Sequence, residues 1–329
     1  MKIGLIDVDS HNFPNLPLMK ISAWHKAQND IVEWWSADSG RFDRVYASKV
    51  FTESKMPEVC NTDDFQIGGS GVDLLNKLPF EIEHCTPDYS LYPKFPFALG
   101  FLTRGCPRKN HGFCITPQKD GCKSVKTADL SEFWTGQKEI YLLDQNLLAC
   151  PDRIDLLKQL AASGATVDFG GGTDVRFMSD EVIEVMRHIK VKDYHFAWDD
   201  PREDLFPHFL KVATSGLRTT KHVGIGVYVL TNYWSTHEQD LERCYKLRLL
   251  GFNPYVMVYD KQKYVDARGK LRSDVWERFT PEQIYHFKLC QHLQRWSANR
   301  KLWASCPTIE SYEWYTRFIE KWPSIVAQH

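Results

Sequence analysis

From Phe95 onward the chain alternates short apolar runs with helix-length amphipathic stretches, and this alternation constrains the fold more than any other feature. Apolar runs fall at 97–102, 139–144, 166–169, 193–198, 223–230 and 254–259, and each reads as a strand. The stretches between them carry helix signals. Pro151 opens a segment that runs to Ala162 and stops before Gly164, and Ser179 is placed to cap 180–189, whose first turn holds two acids. Thr236 followed by Gln239 forms a capping box for a helix ending at Gly251. Repeated β-α units with short connections imply right-handed crossovers and a parallel sheet, open or curled into a barrel. Six strands predict an α/β fold built on a partial parallel (β/α)6 barrel.

A smaller alternation precedes it. Ile3 to Asp7, Ile31 to Trp35 and Arg44 to Ser48 read as strands and Pro17 to Gln28 as a helix, which together make a small Rossmann-like βαβ domain. Residues 52–94 collect proline, glycine and asparagine, including Gly68-Gly69-Ser70-Gly71, and read as a linker. After residue 269 the strand pattern ends. Leu289, Leu293, Trp296 and Trp303 fall at helical spacing, with Arg295, Asn299 and Arg300 on the other side, as expected of an amphipathic helical cap. The predicted organisation is therefore 1–94, 95–269 and 270–329.

Composition excludes several classes. In 329 residues, 43% hydrophobic and 13% aromatic side chains supply enough apolar surface for a globular core and rule out collagen, coiled coil and disorder. Forty-one Lys and Arg against 42 Asp and Glu leave a net charge of -1, so no global field recruits nucleic acid or a membrane. The first residues hold too short an apolar run for a signal peptide, and no run is long enough to span a bilayer. A cytoplasmic location is expected. Nine cysteines, an odd number in a chain of this size, predict reduced thiols rather than a disulfide framework. Most are scattered, Cys290 among them, and read as small buried hydrophobes.

Cys106, Cys114 and Cys122 are clustered instead. The strand Phe97 to Leu102 ends in Thr103-Arg104-Gly105-Cys106-Pro107-Arg108, followed by Lys109-Asn110-His111-Gly112-Phe113-Cys114. Residues just beyond the carboxyl end of a barrel strand face the ligand side. This stretch resembles the cluster loop of the radical S-adenosylmethionine superfamily, CxxxCxxC after the first barrel strand. The flanking Thr-Arg-Gly-Cys-Pro-Arg and Gly-Phe-Cys are similar to the subset whose members often carry a cobalamin-binding-like or methylthiotransferase-like N-terminal domain. The likeness covers roughly 95–265 in detail and 1–90 in general organisation. It implies a 4Fe-4S cluster whose free iron binds S-adenosylmethionine, and reductive cleavage of that cofactor to start radical chemistry. It also implies an electron donor such as flavodoxin or ferredoxin, and a small-molecule, peptide or RNA substrate.

The loop departs from the family pattern by one extra residue, and Asn110-His111 stands where a cysteine belongs. The ligand set is then Cys106 and Cys114 with either His111 or Cys122, histidine ligation raising the cluster potential. Cys106, His111, Cys114 and Cys122 also make a four-donor set suited to zinc. A third alternative is a scaffold that retains the fold without a cluster and binds a nucleotide or a partner. Arg104, Arg108, Lys109, Lys119, Lys123 and Lys126 surround the loop against Asp120 alone, a local basic patch.

Later strand ends supply the remaining cofactor contacts that the resemblance implies. Asp144 and Asn146 follow the second strand, where a carboxylate suits an ammonium group. Arg176, after the glycine run 170–172, suits a carboxylate or ribose, with pairing to Asp174 as the alternative. Trp198 and Asn232 follow the fourth and fifth strands and are placed to line the mouth. Asp7, Asp9 and His11 end the first strand and read as a turn before they read as a metal site. The N-terminal domain lacks the Asp-x-His-x-x-Gly motif, so no cobalamin is expected.

Overall fold

The computed structural model describes residues 1–11, 13–108, 112–220 and 225–328. The chain divides into two compact units, Met1–Gly172 with Glu184–Lys192, and Thr173–Ile183 with Asp193–His329.

The first unit opens with β1 (Lys2–Asp7), β2 (Ile31–Trp34), β3 (Arg44–Ser48) and β4 (Phe65–Gly68). They form a wholly parallel sheet in the order β2-β1-β3-β4. The chain leaves β1 through the helix Leu16–Ala27 to β2 on one side and then returns to β3 on the other, so the topology switches direction between β1 and β3. Asn15 caps that helix by accepting from the Leu18 N–H, and its amide donates to Ser10 Oγ and Ser48 Oγ, each at 2.9 Å. The cap thus ties the helix to the carboxyl ends of both central strands. Ile3, Leu5, Leu18, Ile21, Tyr46 and Ile82 form one core cluster, and Ile6, Phe42, Val45 and Ala47 another.

A second sheet in this unit takes β5 (Ala98–Gly100), β8 (Glu139–Leu142), β9 (Thr166–Asp168) and β10 (Lys190–Asp193) in the order β10-β9-β8-β5. The β5-β8 and β8-β9 pairs are parallel. Between β5 and β8 a short antiparallel ribbon joins β6 (Thr103–Arg104) to β7 (Val125–Lys126).

The second unit holds the parallel sheet β11 (His195–Ala197), β12 (Gly226–Thr231) and β13 (Asn253–Val258), with β12 central. The helices Phe206–Thr214, His237–Leu249, Pro281–Ala298 and Glu313–Val326 belong to it. Thr236 and Gln239 form the expected box, the Gln239 N–H donating to Thr236 Oγ1 at 3.3 Å and the Thr236 N–H to Gln239 Oε1 at 2.9 Å. Leu293 and Trp296 are fully buried while Arg295, Asn299 and Arg300 face solvent, as the periodicity predicts.

The fold is mixed α/β with parallel sheets, and the strands expected in one curled sheet lie in open sheets of four and three among the described residues. The expected strand at 193–198 holds β11 (His195–Ala197), preceded by the buried Tyr194, while Asp193 ends β10 of the other sheet. The segment 52–94, read as a linker, contributes β4, and both N-terminal sheets fall in one compact unit. No helix among the described residues is long and apolar enough to cross a membrane.

Candidate functional site

Cys106 stands just past the carboxyl end of the second sheet. The turn into it needs Gly105, whose φ is +88°; a Cβ there would lie 2.1 Å from the Lys123 carbonyl oxygen. The Cys106 N–H donates to the Gly121 carbonyl at 3.2 Å, so the stretches carrying Cys106 and Cys122 are the two arms of one ribbon. Gln145, just after β8, accepts from the Gly105 N–H at 3.2 Å and donates to Asp120 at 2.9 Å, locking that ribbon to the sheet end. The buried Asn146 donates its side-chain amide to Cys106 Sγ at 3.5 Å.

Cys106 and Cys114 are half-buried and Cys122 is exposed, and all three are free thiols. His111 lies outside the described residues. Donors on a single tetrahedral zinc stand roughly 3.3–3.8 Å apart, given metal–ligand bonds of about 2.0–2.3 Å. The three thiols do not form a set within 4.8 Å of one another. A cubane sets no such requirement, because each thiolate binds a different iron. The described conformation places the Asn146 amide at the Cys106 sulfur.

The basic patch is partly neutralised within the unit. Arg104 pairs with Glu83 at 2.9 Å and Asp120 at 3.5 Å, and its guanidinium covers the Phe101 ring at 4.0 Å. Lys77 also reaches Asp120, and Lys126 reaches Asp129. Arg104 and Phe101 face a cleft of about 960 Å³ that opens at the carboxyl ends of β1, β3 and β4, with Lys20, Trp24, Tyr46 and Gly69 among its walls. The crevice beyond the strand ends at a topological switch is where open parallel sheets take ligands. The sequence does not show this cleft because much of its wall comes from 66–83, a stretch whose glycines and prolines signal a loop.

The other expected contacts are engaged by the protein itself. Asp144 is buried and accepts from the Leu102 N–H at 3.1 Å, the Thr103 N–H at 2.5 Å and the Thr103 hydroxyl at 2.7 Å. Burial pushes its carboxyl up to about 6 against the lowering effect of those bonds. Gly171 packs directly on this segment, since a Cβ there would lie 2.2 Å from the Asp144 carbonyl oxygen, so this member of the glycine run answers close packing. Asp9 accepts from the Val50 and Phe51 N–H groups at 2.8 Å each, and Asp7 from the Ser10 N–H and the Tyr92 hydroxyl, the turn role expected of them.

In the second unit, Arg176 is gripped by Asp174 through Nε at 2.9 Å and Nη2 at 2.6 Å, and by Glu203 through Nη1 at 3.1 Å. Trp198 is buried against Phe209, its ring donating to the Glu203 carbonyl at 2.9 Å. Asn232 has a left-handed φ of +60° at the end of β12 and donates to the Tyr259 carbonyl at 2.9 Å.

No family model and no curated protein matches this chain.

Proposed function

We propose that this chain is a cytoplasmic protein of the radical S-adenosylmethionine type, in which Cys106, Cys114 and either His111 or Cys122 hold a 4Fe-4S cluster on a partial (β/α)6 barrel. The single observation that carries the reading is the placement of Cys106: a half-buried free thiol at the carboxyl end of a parallel sheet, on a turn that only glycine fits, with the Asn146 amide at its sulfur. Bound there, the cluster would supply the electron that cleaves S-adenosylmethionine, with a flavodoxin- or ferredoxin-like donor to replenish it. The protein's own part is to hold the loop. Gly105, Gln145 and Asp120 fix the ribbon, and Asn146 donates its side-chain amide to the Cys106 sulfur. The test is release of 5′-deoxyadenosine from S-adenosylmethionine by reduced, anaerobically reconstituted protein. Turnover that disappears in Cys106→Ser supports the reading, and a loaded cluster without turnover overturns it.

A second reading is favoured by the internal partners of Asp144 and Arg176, two groups that the resemblance assigns to the cofactor. In it the chain is a cluster-free relative whose 960 Å³ cleft takes a nucleotide or a partner. Nucleotide binding by a variant with Cys106, Cys114 and Cys122 all replaced by Ser would support it, and loss of that binding with the thiols would oppose it.

A further inference from the structure

The helix Pro281–Ala298 of the second unit carries His286 and Cys290 one turn apart, a spacing that places both side chains on one face. Cys290 is fully buried and His286 half-buried, and His286 Nε2 stands 3.6 Å from Cys290 Sγ. Asp240, in the first turn of the helix His237–Leu249, is fully buried and brings Oδ2 to 3.7 Å from the same sulfur. The three donor atoms lie within 4.8 Å of one another, and no other group of three His, Cys, Asp or Glu donors does so among the described residues.

The two separations from the sulfur match those that a metal ion imposes. Bonds of about 2.3 Å to sulfur and 2.0–2.1 Å to nitrogen or oxygen, at tetrahedral angles, put sulfur roughly 3.5 Å from either partner. The surroundings are those of ligands held from behind. Asp240 Oδ1 accepts from the buried Arg243 guanidinium, which also donates to the Trp198 carbonyl at 2.5 Å, the Asp199 carbonyl at 3.0 Å and the Leu230 carbonyl at 2.9 Å. That grip leaves Oδ2 turned toward the sulfur. One thiolate, one imidazole and one carboxylate suit zinc and exclude the all-oxygen preferences of magnesium and calcium.

We propose that Asp240, His286 and Cys290 form a zinc site with three protein ligands and a fourth position for water or a further ligand. Binding converts the Cys290 thiol to a thiolate: the sulfur–hydrogen bond breaks, the sulfur–zinc bond forms, and one proton leaves to solvent for each ion bound. The site is independent of the cysteine loop, whose donors belong to the other unit.

The experiment uses the full chain with Cys106, Cys114 and Cys122 replaced by Ser, so that the loop contributes no thiol, stripped with chelator and titrated with zinc alone. The expected result is about one zinc retained per chain, with about one proton released as read by calorimetry in buffers of different ionisation enthalpy. His286→Ala, at a half-buried position, weakens retention at least tenfold, and Cys290→Ser abolishes the proton release. Failure of the parent chain to retain zinc at micromolar concentration, or equal retention by folded His286→Ala, overturns the proposal.

Discussion

Asp144→Asn probes whether the carboxylate beside the cysteine loop is a structural clamp held against its own charge. The folded carboxyl titrates at about 6 against an ordinary 3.8, with burial the largest cause. At ~1.4 kcal/mol for each tenfold change in proton affinity, the difference is worth about 3 kcal/mol. The sign follows from which state binds the proton more tightly. The folded state does, so this carboxyl adds nothing unfavourable below about pH 4 and erodes stability as pH rises from 4 to 6. Asparagine removes that pH dependence. Its Oδ1 replaces the acceptor of the two Thr103 donors, but its Nδ2 faces the Leu102 N–H, and one unpaired buried donor costs about 1–3 kcal/mol.

The variant is therefore destabilised at pH 4 and recovers about 3 kcal/mol relative to the wild type by pH 7, a change of roughly a hundredfold in local opening. A chain of two compact units need not unfold in one step, so the assay is hydrogen exchange at the Leu102 and Thr103 amides, corrected for intrinsic rates. A disadvantage that stays constant or grows between pH 4 and pH 7 would refute the reasoning. It would mean that the three donors outweigh burial and hold Asp144 ionised.

Three further outcomes follow from particular contacts. Gly105→Ala costs about 1–2 kcal/mol for its positive φ alone, and more for the contact with the Lys123 carbonyl, so limited proteolysis should cut between 105 and 123 faster than in the wild type. An unchanged cleavage rate would separate Gly105 from the ribbon's closure. Arg176→Ala should leave S-adenosylmethionine affinity within about twofold, because Asp174 and Glu203 already occupy the guanidinium; a tenfold loss by calorimetry would show that Arg176 exchanges those partners for the cofactor. Arg243→Met leaves the buried Asp240 carboxylate without its cation and should cost about 3–5 kcal/mol in the second unit. A near-neutral effect on thermal unfolding would show that Asp240 is held by its other neighbours.

Much of the local structure is legible in the sequence because it rests on short-range chemistry. The strand Arg44–Ser48 falls where its apolar run predicts, and the Thr236–Gln239 box starts its helix at the expected turn. What escapes is structure that depends on distant partners. Phe65–Gly68 is only four residues, partly exposed at a sheet edge, and its flanking glycines and prolines outweigh its weak strand signal. Asp144 has the residue type that an ammonium site needs, but sequence does not show that Leu102 and Thr103 turn their donors onto it. His286 and Cys290 have a readable helical spacing, whereas Asp240 reaches them only through the packing of a separate helix. The pairing of Arg176 with Asp174 was readable from their proximity, and Glu203 completes it from farther along the chain.

The account's central claim is that the loop bearing Cys106 and Cys114 holds an iron–sulfur cluster. Its most direct test is iron and acid-labile sulfide analysis, with visible absorption, of protein purified and reconstituted without oxygen. The account predicts about four irons and four sulfides per chain, lost in Cys106→Ser and Cys114→Ser and reduced by replacement of His111 or of Cys122, whichever is the third ligand. Reconstituted protein without iron, or with iron indifferent to both Cys106 and Cys114, would contradict it.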